Sequence, residues 1–351
     1  IEPGGSTQSG ATTGAHVAEA NADEWHSRGW DGTGVRIGLI DWFNQPDWNA
    51  AVASGDLPAP SGTFCRWYGT PCDLWSGPAV DHGNNVAEIA HDMAPGAGLY
   101  LATVGTTADM QAAIDYFAAQ GVDIVSRSST AEYDGPGDGT GPLAAVVDDA
   151  VAKGMAWFNS VGNNAIQASN GLGTYWRGEW ADADGDGWLE FAPGDPVLGF
   201  FCGFMNGVRW SDWGDPQATD YDVYVFDGSG ALLDWSVDSQ PPADPLELVD
   251  ECGEPGDVAF LQVRLWAANG GTDGDIIEFM ANKSEFEHSS NPFSASGPMV
   301  DTASPGAMAV GAIDPIPGDL IADYSSRGPT NDLRVKPDIS ASSCIATTLT
   351  G

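Results

Sequence analysis

Short apolar segments alternate with helical segments over the first half of the chain, and this alternation limits the possible folds more than any other feature. The apolar, strand-like segments lie at residues 34–41, 99–104, 122–125 and 155–161. Helical patterns lie between them at residues 86–91, 109–120 and 143–153. Because helices cover both faces of a parallel sheet, its strands are continuous apolar runs. The pattern therefore predicts an α/β fold with a doubly wound parallel sheet.

The pattern changes between residues 175 and 287, where the sequence indicates no helix. Strand-like segments lie there at residues 197–210, 221–226, 231–237, 258–267 and 276–280, with a hairpin turn at 227–230. Short strands separated by Gly, Asp and Pro are typical of an antiparallel β-sandwich. We therefore predict a flexible lead at 1–20, an α/β domain at 21–174 that continues at 288–351, and an inserted β-sandwich at 175–287.

The charge of the chain excludes two classes of partner. Twelve Lys and Arg stand against 50 Asp and Glu, which gives a formal net charge of −38. Binding to a nucleic-acid backbone or to anionic lipid needs clustered basic residues. No apolar run approaches the ~18 residues of a membrane-spanning helix. We therefore expect neither nucleic acid nor a membrane span, and we interpret the acidic surface as keeping an extracellular protein soluble.

The cysteines indicate an oxidising compartment. Cys65 and Cys72 flank a predicted turn, and Cys202 and Cys252 both lie in the β-rich segment, so we predict two disulfides. Cys344 is left over, and we expect its partner beyond residue 351. Two local pairs indicate a secreted protein. The alternative, buried free thiols in a cytosolic protein, stays open.

Three polar residues stand where an open α/β sheet places its functional groups. Asp41 ends the first predicted strand, His82 begins a predicted helix, and Asn163 follows Gly162 at the end of the fourth strand. Each has an ordinary explanation when taken singly, since Asp and Asn close turns and a His at a helix start is often a surface residue. Their order along the chain is more informative than any one of them.

That order and the surrounding sequence segments resemble those of the subtilisin-like serine peptidases. The matching segments are GTGVRIGLID around Asp41, DHGNNVAEIAHDMAPGAGLYL around His82, GMAWFNSVGNN around Asn163, and YSSRGPTNDLRVKPDIS at residues 324–340. The resemblance covers about residues 20–170 and 290–351, and it leaves out the β-rich segment. It implies the family's doubly wound α/β fold and its Asp, His, Ser order of catalytic residues.

The resemblance also implies a role for each matching residue. His82 is expected to be the general base, Asp41 to hold its tautomer, and the Asn163 amide to donate to the oxyanion. The substrate is expected to lie as an added β-strand along one segment, comprising Ser126, Arg127, Ser128 and Ser129.

Three departures from the family pattern bear on these expectations. The usual Ser-Leu-Gly reads Ser128-Ser129-Thr130, which puts the shape of the specificity pocket in question. The usual Ala-Pro-Gly after Pro-Asp reads Ala341-Ser342-Ser343. The Gly-Thr-Ser segment with the nucleophile is not in the sequence, and the resemblance places it within roughly ten residues beyond residue 351.

Alternating carboxylates in the β-rich segment resemble a calcium loop. Asp182, Asp184 and Asp186 are followed by Gly187, where such a loop makes its sharp turn, and Glu190 is a further candidate ligand. The terminal Glu and the flanking helices of an EF-hand are missing, and an acidic surface loop explains the same residues. We predict structural calcium and no catalytic cofactor.

The leading hypothesis is a secreted, monomeric serine endopeptidase that cleaves protein or peptide substrates through an acyl-enzyme. We expect the chain by itself to be inactive, because its nucleophile is expected beyond residue 351. The rival hypothesis is a non-catalytic, calcium-stabilised relative that uses the β-rich segment for adhesion. A nucleotide-binding α/β protein is excluded, because no Gly-rich phosphate loop follows the first strand.

Overall fold

A nine-stranded sheet and two four-stranded sheets make up the computed structural model, which describes residues 13–77, 80–314 and 320–348. The helices of these residues are α1 (His16–Glu19), α2 (Ala22–Ser27), α3 (Gln45–Ser54), α4 (His82–Met93), α5 (Thr107–Gln120) and α6 (Pro142–Ala152), with a 3₁₀ turn at Leu74–Ser76. The strands are β1 (Arg36–Ile40), β2 (Gly62–Trp67), β3 (Thr70–Pro71), β4 (Gly98–Val104), β5 (Ile124–Arg127), β6 (Ala156–Ser160), β7 (Tyr175–Glu179), β8 (Leu198–Phe201), β9 (Phe204–Trp210), β10 (Asp220–Asp227), β11 (Leu232–Ser236), β12 (Leu246–Glu247), β13 (Val258–Ala267), β14 (Ile276–Asn282), β15 (Ala307–Asp314), β16 (Leu320–Ile321) and β17 (Ile339–Ser342).

The nine-stranded sheet is mostly parallel. Its order is β16-β15-β6-β5-β1-β4-β2-β3, with β17 paired to β15, and only the β15–β16 and β2–β3 pairs are antiparallel. The four strands that the apolar runs predict are β1, β4, β5 and β6, which lie side by side at the centre. The prediction of an α/β fold is confirmed.

Helices cover both faces of this sheet. Alternate residues of β1 point to opposite sides, so Leu39 packs with α3 and α4 while Ile40 packs with α5 and α6. Gly38 lies where α5 crosses closest to the sheet: a Cβ there would come within 2.7 Å of the Phe117 ring. Alternate apolar residues of each strand therefore contact the helices on opposite faces of the sheet.

The sequence analysis missed three helices of this unit, α1, α2 and α3, of which α3 is the longest. α3 begins after Asn44, whose side-chain oxygen accepts from Asp47 N at 3.2 Å, and Pro46 lies in its first turn. Trp48 and Ala51 are buried, but small and polar residues between them weaken the apolar pattern.

The sequence predicts a flexible N-terminal lead at residues 1–20. Residues 1–12 lie outside the described ranges, and His16–Glu19 form α1.

The β-rich segment forms two antiparallel sheets. Their orders are β11-β10-β13-β8 and β12-β9-β14-β7, and side chains of both sheets share one apolar core. The hairpin predicted at 227–230 joins β10 to β11. The prediction of a single strand at 197–210 is wrong. The strand is interrupted at Cys202 and Gly203, and its two halves, β8 and β9, belong to different sheets. A strand that crosses between sheets reads as one apolar run in sequence.

Two disulfides link local pairs of cysteines. Cys65 is bonded to Cys72 at the β2–β3 hairpin, and Cys202 to Cys252, while Cys344 is free and exposed. Such bonds are compatible with an extracellular protein. Within the described ranges, no helix is both long and apolar enough to cross a membrane.

Candidate active site

A carboxylate and an imidazole meet at the carboxyl edge of the parallel sheet. Asp41 directly follows β1, and His82 is the first residue of α4. Nδ1 of His82 lies 2.8 Å from Oδ2 and 3.0 Å from Oδ1 of Asp41. The Asp41 side chain is 2% exposed and that of His82 is 49% exposed. The pair therefore joins a buried carboxylate to a ring that faces solvent.

Backbone contacts fix both members of the pair. Oδ1 of Asp41 accepts from Trp42 N at 2.8 Å, and Thr103 donates its hydroxyl proton to the Asp41 carbonyl oxygen at 2.7 Å. The first turn of α4 comes close to the chain after β1, because Gly83 N donates to Trp42 O at 3.0 Å. A Cβ at Gly83 would lie 2.4 Å from that oxygen, so glycine is required for the approach.

The buried carboxylate changes the acidity of the ring. The hydrogen bond that His82 donates to the Asp41 carboxylate raises the pKa of His82 above its ordinary value of 6.5. The ring donates from Nδ1 to Asp41, which leaves Nε2 as the acceptor of the neutral form. No residue in the described part of the chain is hydrogen-bonded to Nε2. The neutral His82 ring can therefore accept a proton at Nε2 from a group that approaches this nitrogen.

The predicted substrate segment and the predicted oxyanion donor lie along one cavity. This cavity has a volume of about 380 Å³, lies between α4 and the carboxyl ends of β5, β6 and β15, and is lined by Ser126, Ser128 and Asn163 among others. Asn163 is exposed, whereas its neighbour Asn164 is buried and bonded to Ser326 and Thr174. The structure therefore brings these predicted residues together beside α4.

A second, larger cavity of about 550 Å³ runs from Asp41 and Trp42 past Ser129. Arg127 lines both cavities, and burial lowers its pKa to about 10. Its Nε has no hydrogen-bond partner among the described residues. The predicted substrate segment thus separates two cavities that open at the same edge of the sheet.

Two serines near the site are held by the backbone. Ser325 and Ser326 are fully buried, and their hydroxyl oxygens accept from Ala312 N and Asn164 N. Among the described residues, neither serine is hydrogen-bonded to His82. The chain also comes back to α4 at its described end, where Thr348 N donates to Glu88 Oε2 at 2.8 Å.

The acidic loop at residues 182–190 is organised by its own backbone. Oxygens of Asp182, Asp184 and Asp186 lie within 4.8 Å of one another. Asp182 also accepts from three backbone N–H groups, those of residues 185, 186 and 187. Glu190 accepts instead from Ala183 N and Gly194 N, at the other side of the loop. The loop gathers three of the four predicted ligands, and it is closed by hydrogen bonds that need no ion.

Sequence reasoning missed a second cluster of charged side chains. Nε2 of His288 lies 3.0 Å from Oδ2 of Asp195, and the Glu287 carboxylate is beside them. The three residues are brought together by β-sheet pairing from segments about 90 residues apart, so no local spacing could have indicated them.

The fold and the Asp41–His82 pair define an α/β protein with a carboxylate–imidazole pair at the carboxyl edge of its sheet. In sequence comparisons, no protein-family model and no curated protein matches the chain. The Clostridium perfringens CspB protease is similar in structure over 93% of this chain and 80% of its own, with a TM-score of 0.53 and 16% identity. That likeness shows the fold, a mixed α/β sheet with additional antiparallel sheets.

Two further solved structures are similar over smaller parts. A lanthipeptide protease aligns with 44% of this chain and 47% of its own, at a TM-score of 0.32 and 18% identity. MycP1 with its N-terminal propeptide removed aligns with 44% of this chain and 50% of its own, at a TM-score of 0.32 and 21% identity. Both alignments thus span half or less of those proteins.

Proposed function

We propose that the chain is most of the catalytic domain of a secreted, subtilisin-like serine endopeptidase. The observation that carries the proposal is the contact between the buried Asp41 carboxylate and Nδ1 of a half-exposed His82. A buried carboxylate on one ring nitrogen orients the imidazole, and the free nitrogen then accepts the proton of a nucleophile. The similarity of the fold to a protease supports the same function.

The proposed reaction assigns a step to each group. His82 takes the proton of a serine hydroxyl as the oxygen attacks the peptide carbonyl, and Asp41 stabilises the imidazolium that forms. The Asn163 amide donates to the oxyanion of the tetrahedral intermediate. His82 then protonates the leaving amine, and water releases the acyl group through the same steps. The peptide lies along the segment 126–129, which supplies backbone groups for strand pairing.

The proposal places the nucleophilic serine in sequence beyond residue 351. The position of residue 348 supports this placement. Thr348 contacts Glu88 of α4, and α4 is the helix that begins at His82. The cavity of about 380 Å³ beside this helix, which Asn163 lines, has room for a further segment. A serine delivered there would lie beside α4 and the proposed oxyanion donor, Asn163.

Two further parts of the proposal concern the β-rich segment. We propose that its two sheets form a β-sandwich inserted at about residues 175–287, since they share one apolar core. We also propose that Asp182, Asp184 and Asp186 bind structural calcium, because three close carboxylates repel one another unless a cation neutralises them. Glu190 accepts hydrogen bonds from Ala183 N and Gly194 N, so we expect it to lie next to the calcium ligands without binding the ion itself.

The test uses a chain extended by the next ~40 residues of its gene. We expect the extended protein to cleave a peptide anilide and to be inactivated by a serine-directed phosphonylating reagent. His82→Ala should abolish cleavage, since removal of a triad member leaves only a small residual rate. The matched control is His288→Ala, which removes another Asp-paired histidine, 3.0 Å from Asp195 and far along the chain, and should leave cleavage intact.

Two outcomes would contradict the proposal. A folded, extended protein that neither cleaves nor reacts with the reagent would favour the non-catalytic binding protein instead. Cleavage that survives in His82→Ala would show that another group is the base.

A further inference from the structure

One outer face of the antiparallel sheets is rich in aromatic side chains. Alternate residues of a strand point to opposite faces, and in the sheet β11-β10-β13-β8 one set, which includes Val223 and Leu261, lies in the shared apolar core. The other set points outward, where strand pairing places Trp235 beside Tyr224. We call this side the aromatic face, and its six rings belong to Trp188, Tyr224, Phe226, Trp235, Phe260 and Trp266.

The acidic loop before β8 contributes one of these rings. Trp188 forms a bridge with Arg264 of β13, and its ring packs edge-on against Tyr224, with 5.8 Å between the ring centroids. Leu189 N donates to Val263 O at 2.9 Å. These contacts align the end of the acidic loop with β13, so the position of Trp188 on the aromatic face is fixed by the backbone.

Large apolar side chains of this face are open to solvent. Trp235 is 56% exposed and Trp266 is 62% exposed, and their apolar neighbours Phe201, Leu232 and Val258 are exposed as well. Single exposed apolar side chains are ordinary on a protein surface, whereas a contiguous group of them marks an interaction site. The aromatic face is therefore a candidate binding surface.

The aromatic face points away from the α/β part of the molecule. The other antiparallel sheet contacts that part, since Arg209 of β9 donates to Gly135 O at 2.9 Å and to Ser296 O at 3.0 Å. The two antiparallel sheets share one core, so the outer side of β11-β10-β13-β8 lies on the opposite side of that core. The thickness of both sheets thus separates the aromatic face from the α/β part.

Hydrogen-bonding side chains lie between the rings. Asp222 and Arg264 are opposite each other in register, so their charges offset one another, and Gln262 is opposite Tyr224. The Tyr224 hydroxyl donates to Asp222 Oδ2 at 2.9 Å, and the Arg264 guanidinium lies 5.8 Å from the centroid of the Trp266 ring. Planar polar groups beside flat rings suit a ligand with apolar faces and hydroxyl groups at its edges.

A sugar ring has this chemical character. The C–H groups on its faces stack on an aromatic ring, and the hydroxyl groups at its edge hydrogen-bond to planar polar side chains. Trp235, Tyr224 and Gln262 form one row across three adjacent strands. Neighbouring strands are about 4.8 Å apart, which is close to the length of one pyranose unit, so the row matches successive units of an extended polysaccharide.

The charge of the molecule argues against other occupants. A second copy of the chain, an anionic polymer and an anionic membrane would each be repelled by a net charge of −38. A peptide that binds a sheet through its backbone pairs with an edge strand and not with a face. A neutral polysaccharide meets neither objection.

We propose that the aromatic face binds a neutral, β-1,4-linked polysaccharide, with Trp235 and Trp266 as the main stacking surfaces. This binding is a property of the antiparallel sheets and does not depend on the proposed peptidase activity. It holds the molecule on a carbohydrate surface while the Asp41–His82 pair, on the other part, stays accessible.

Retention on insoluble polysaccharides tests the proposal. The full-length protein is mixed with cellulose or with chitin, and the protein left in solution is measured over a range of concentrations. We expect saturable binding to one or both. Trp235→Ala and Trp266→Ala should each weaken it about ten-fold, as loss of a central aromatic anchor does. Trp235→Phe keeps a ring at this position and should retain most of the affinity.

Two exposed tryptophans of the α/β part provide matched controls. Trp25 lies in α2 and is 56% exposed, and Trp30 follows this helix and is 59% exposed. Trp25→Ala and Trp30→Ala should leave retention unchanged. Because all four tryptophans are more than half exposed, the fold should tolerate each replacement, and circular dichroism checks this.

Several outcomes would overturn the proposal. These are no retention on either polysaccharide, or equal effects of the variants of the aromatic face and their controls. Binding to gelatin or to phosphatidylcholine vesicles instead, lost in Trp235→Ala, would assign the face to a protein or to a membrane. A dimer in sedimentation that Trp235→Ala dissociates would make it an interface between copies of the chain. Cleavage by the extended protein is measured separately, so failure of the peptidase leaves the polysaccharide result intact, and the reverse also holds.

Discussion

At the scale of single residues, the contrast in burial between Asp41 and His82 gives the pair its chemical character. A carboxylate that is 2% exposed needs hydrogen-bond donors in place of water, and Asp41 has both Trp42 N and the imidazole N–H. The ring is half-exposed, so its other nitrogen remains accessible. A surface ion pair would be too mobile to hold one tautomer.

The titration of His82 follows from this contact. Because the hydrogen bond to Asp41 raises the pKa of His82, the NMR titration midpoint of its ring should lie above 6.5. The protonated ring stabilises the fold fully below pH 6.5, and this contribution is lost as the pH rises through the folded-state pKa. Peptidase activity of the extended chain should rise over the same interval, since the base must be neutral.

Asp41→Asn should lower the midpoint of His82 and reduce turnover of the extended chain by about 10⁴, because it removes the charge and favours the wrong tautomer. Asp195→Asn is the control and should leave the His82 titration unchanged. A midpoint at or below 6.5 in the unaltered protein would contradict the assignment of Asp41 as the partner.

At the scale of elements, one disulfide lies where the chain passes between two sheets and the other at an edge hairpin. Cys202 directly follows β8, where the chain passes from one sheet to the other, and Cys252 follows β12. Cys65 and Cys72 close a short hairpin that lies at the edge of the large sheet. Both bonds therefore restrain chain segments at boundaries of sheets.

The two disulfides should differ in their contribution to stability. The separations are 50 residues for Cys202–Cys252 and 7 for Cys65–Cys72, so loss of chain entropy in the unfolded state predicts ~4 and ~2 kcal/mol. Denaturant unfolding of the Cys202→Ser/Cys252→Ser and Cys65→Ser/Cys72→Ser variants measures both. A larger loss for the short loop would show that native packing, not the unfolded chain, dominates.

The acidic loop gives a prediction about metal. If calcium binds at Asp182, Asp184 and Asp186, then millimolar calcium should raise the melting temperature by ~5 °C relative to chelator, by mass action on the folded state. Asp184→Ala should abolish the difference, because Asp184 offers a ligand oxygen and only one long backbone contact, 3.3 Å from Asp186 N. Asp273→Ala, an exposed acid in the connection between β13 and β14, is the control. Equal melting with calcium and chelator would leave the loop as an acidic turn.

At the scale of the whole molecule, a buried ionic network joins the antiparallel sheets to the α/β part. Nε of Arg209 lies 2.6 Å from Oε2 of Glu278, and both side chains are buried. Arg209 also reaches Ser296, and Asn331 donates to the same Glu278 oxygen at 2.8 Å. The network connects β9 and β14 with chain segments before and after them, so the two parts should unfold together.

Removal of one partner of this network should be strongly destabilising. We expect Arg209→Met to lower the free energy of unfolding by ~3–5 kcal/mol, because it leaves the Glu278 carboxylate buried without its main cation. The double variant Arg209→Met/Glu278→Met should recover part of the loss. Arg28→Met, which removes an exposed pair with Glu24, should change stability by less than ~0.5 kcal/mol. Two separate unfolding transitions in the unaltered protein would contradict the coupling.

The sequence by itself determined the central architecture and the candidate catalytic pair. The four apolar runs became the four central strands, because burial on both faces of a parallel sheet leaves a continuous apolar signal that needs no distant information. The order of Asp41, His82 and Asn163 pointed to one edge of the sheet, since the carboxyl ends of parallel strands meet there. The local cysteine spacing likewise indicated the two pairs.

Only the tertiary structure decided which distant residues share a surface. It divided residues 197–210 between two sheets, formed α3 from a weakly apolar segment, and brought Phe204, Leu248 and Trp67 to the lining of one cavity. These features depend on contacts between residues far apart in the chain, and periodicity and spacing carry no information about such contacts. The wall of the cavity arises from the packing of one part of the molecule against another, which no local pattern specifies.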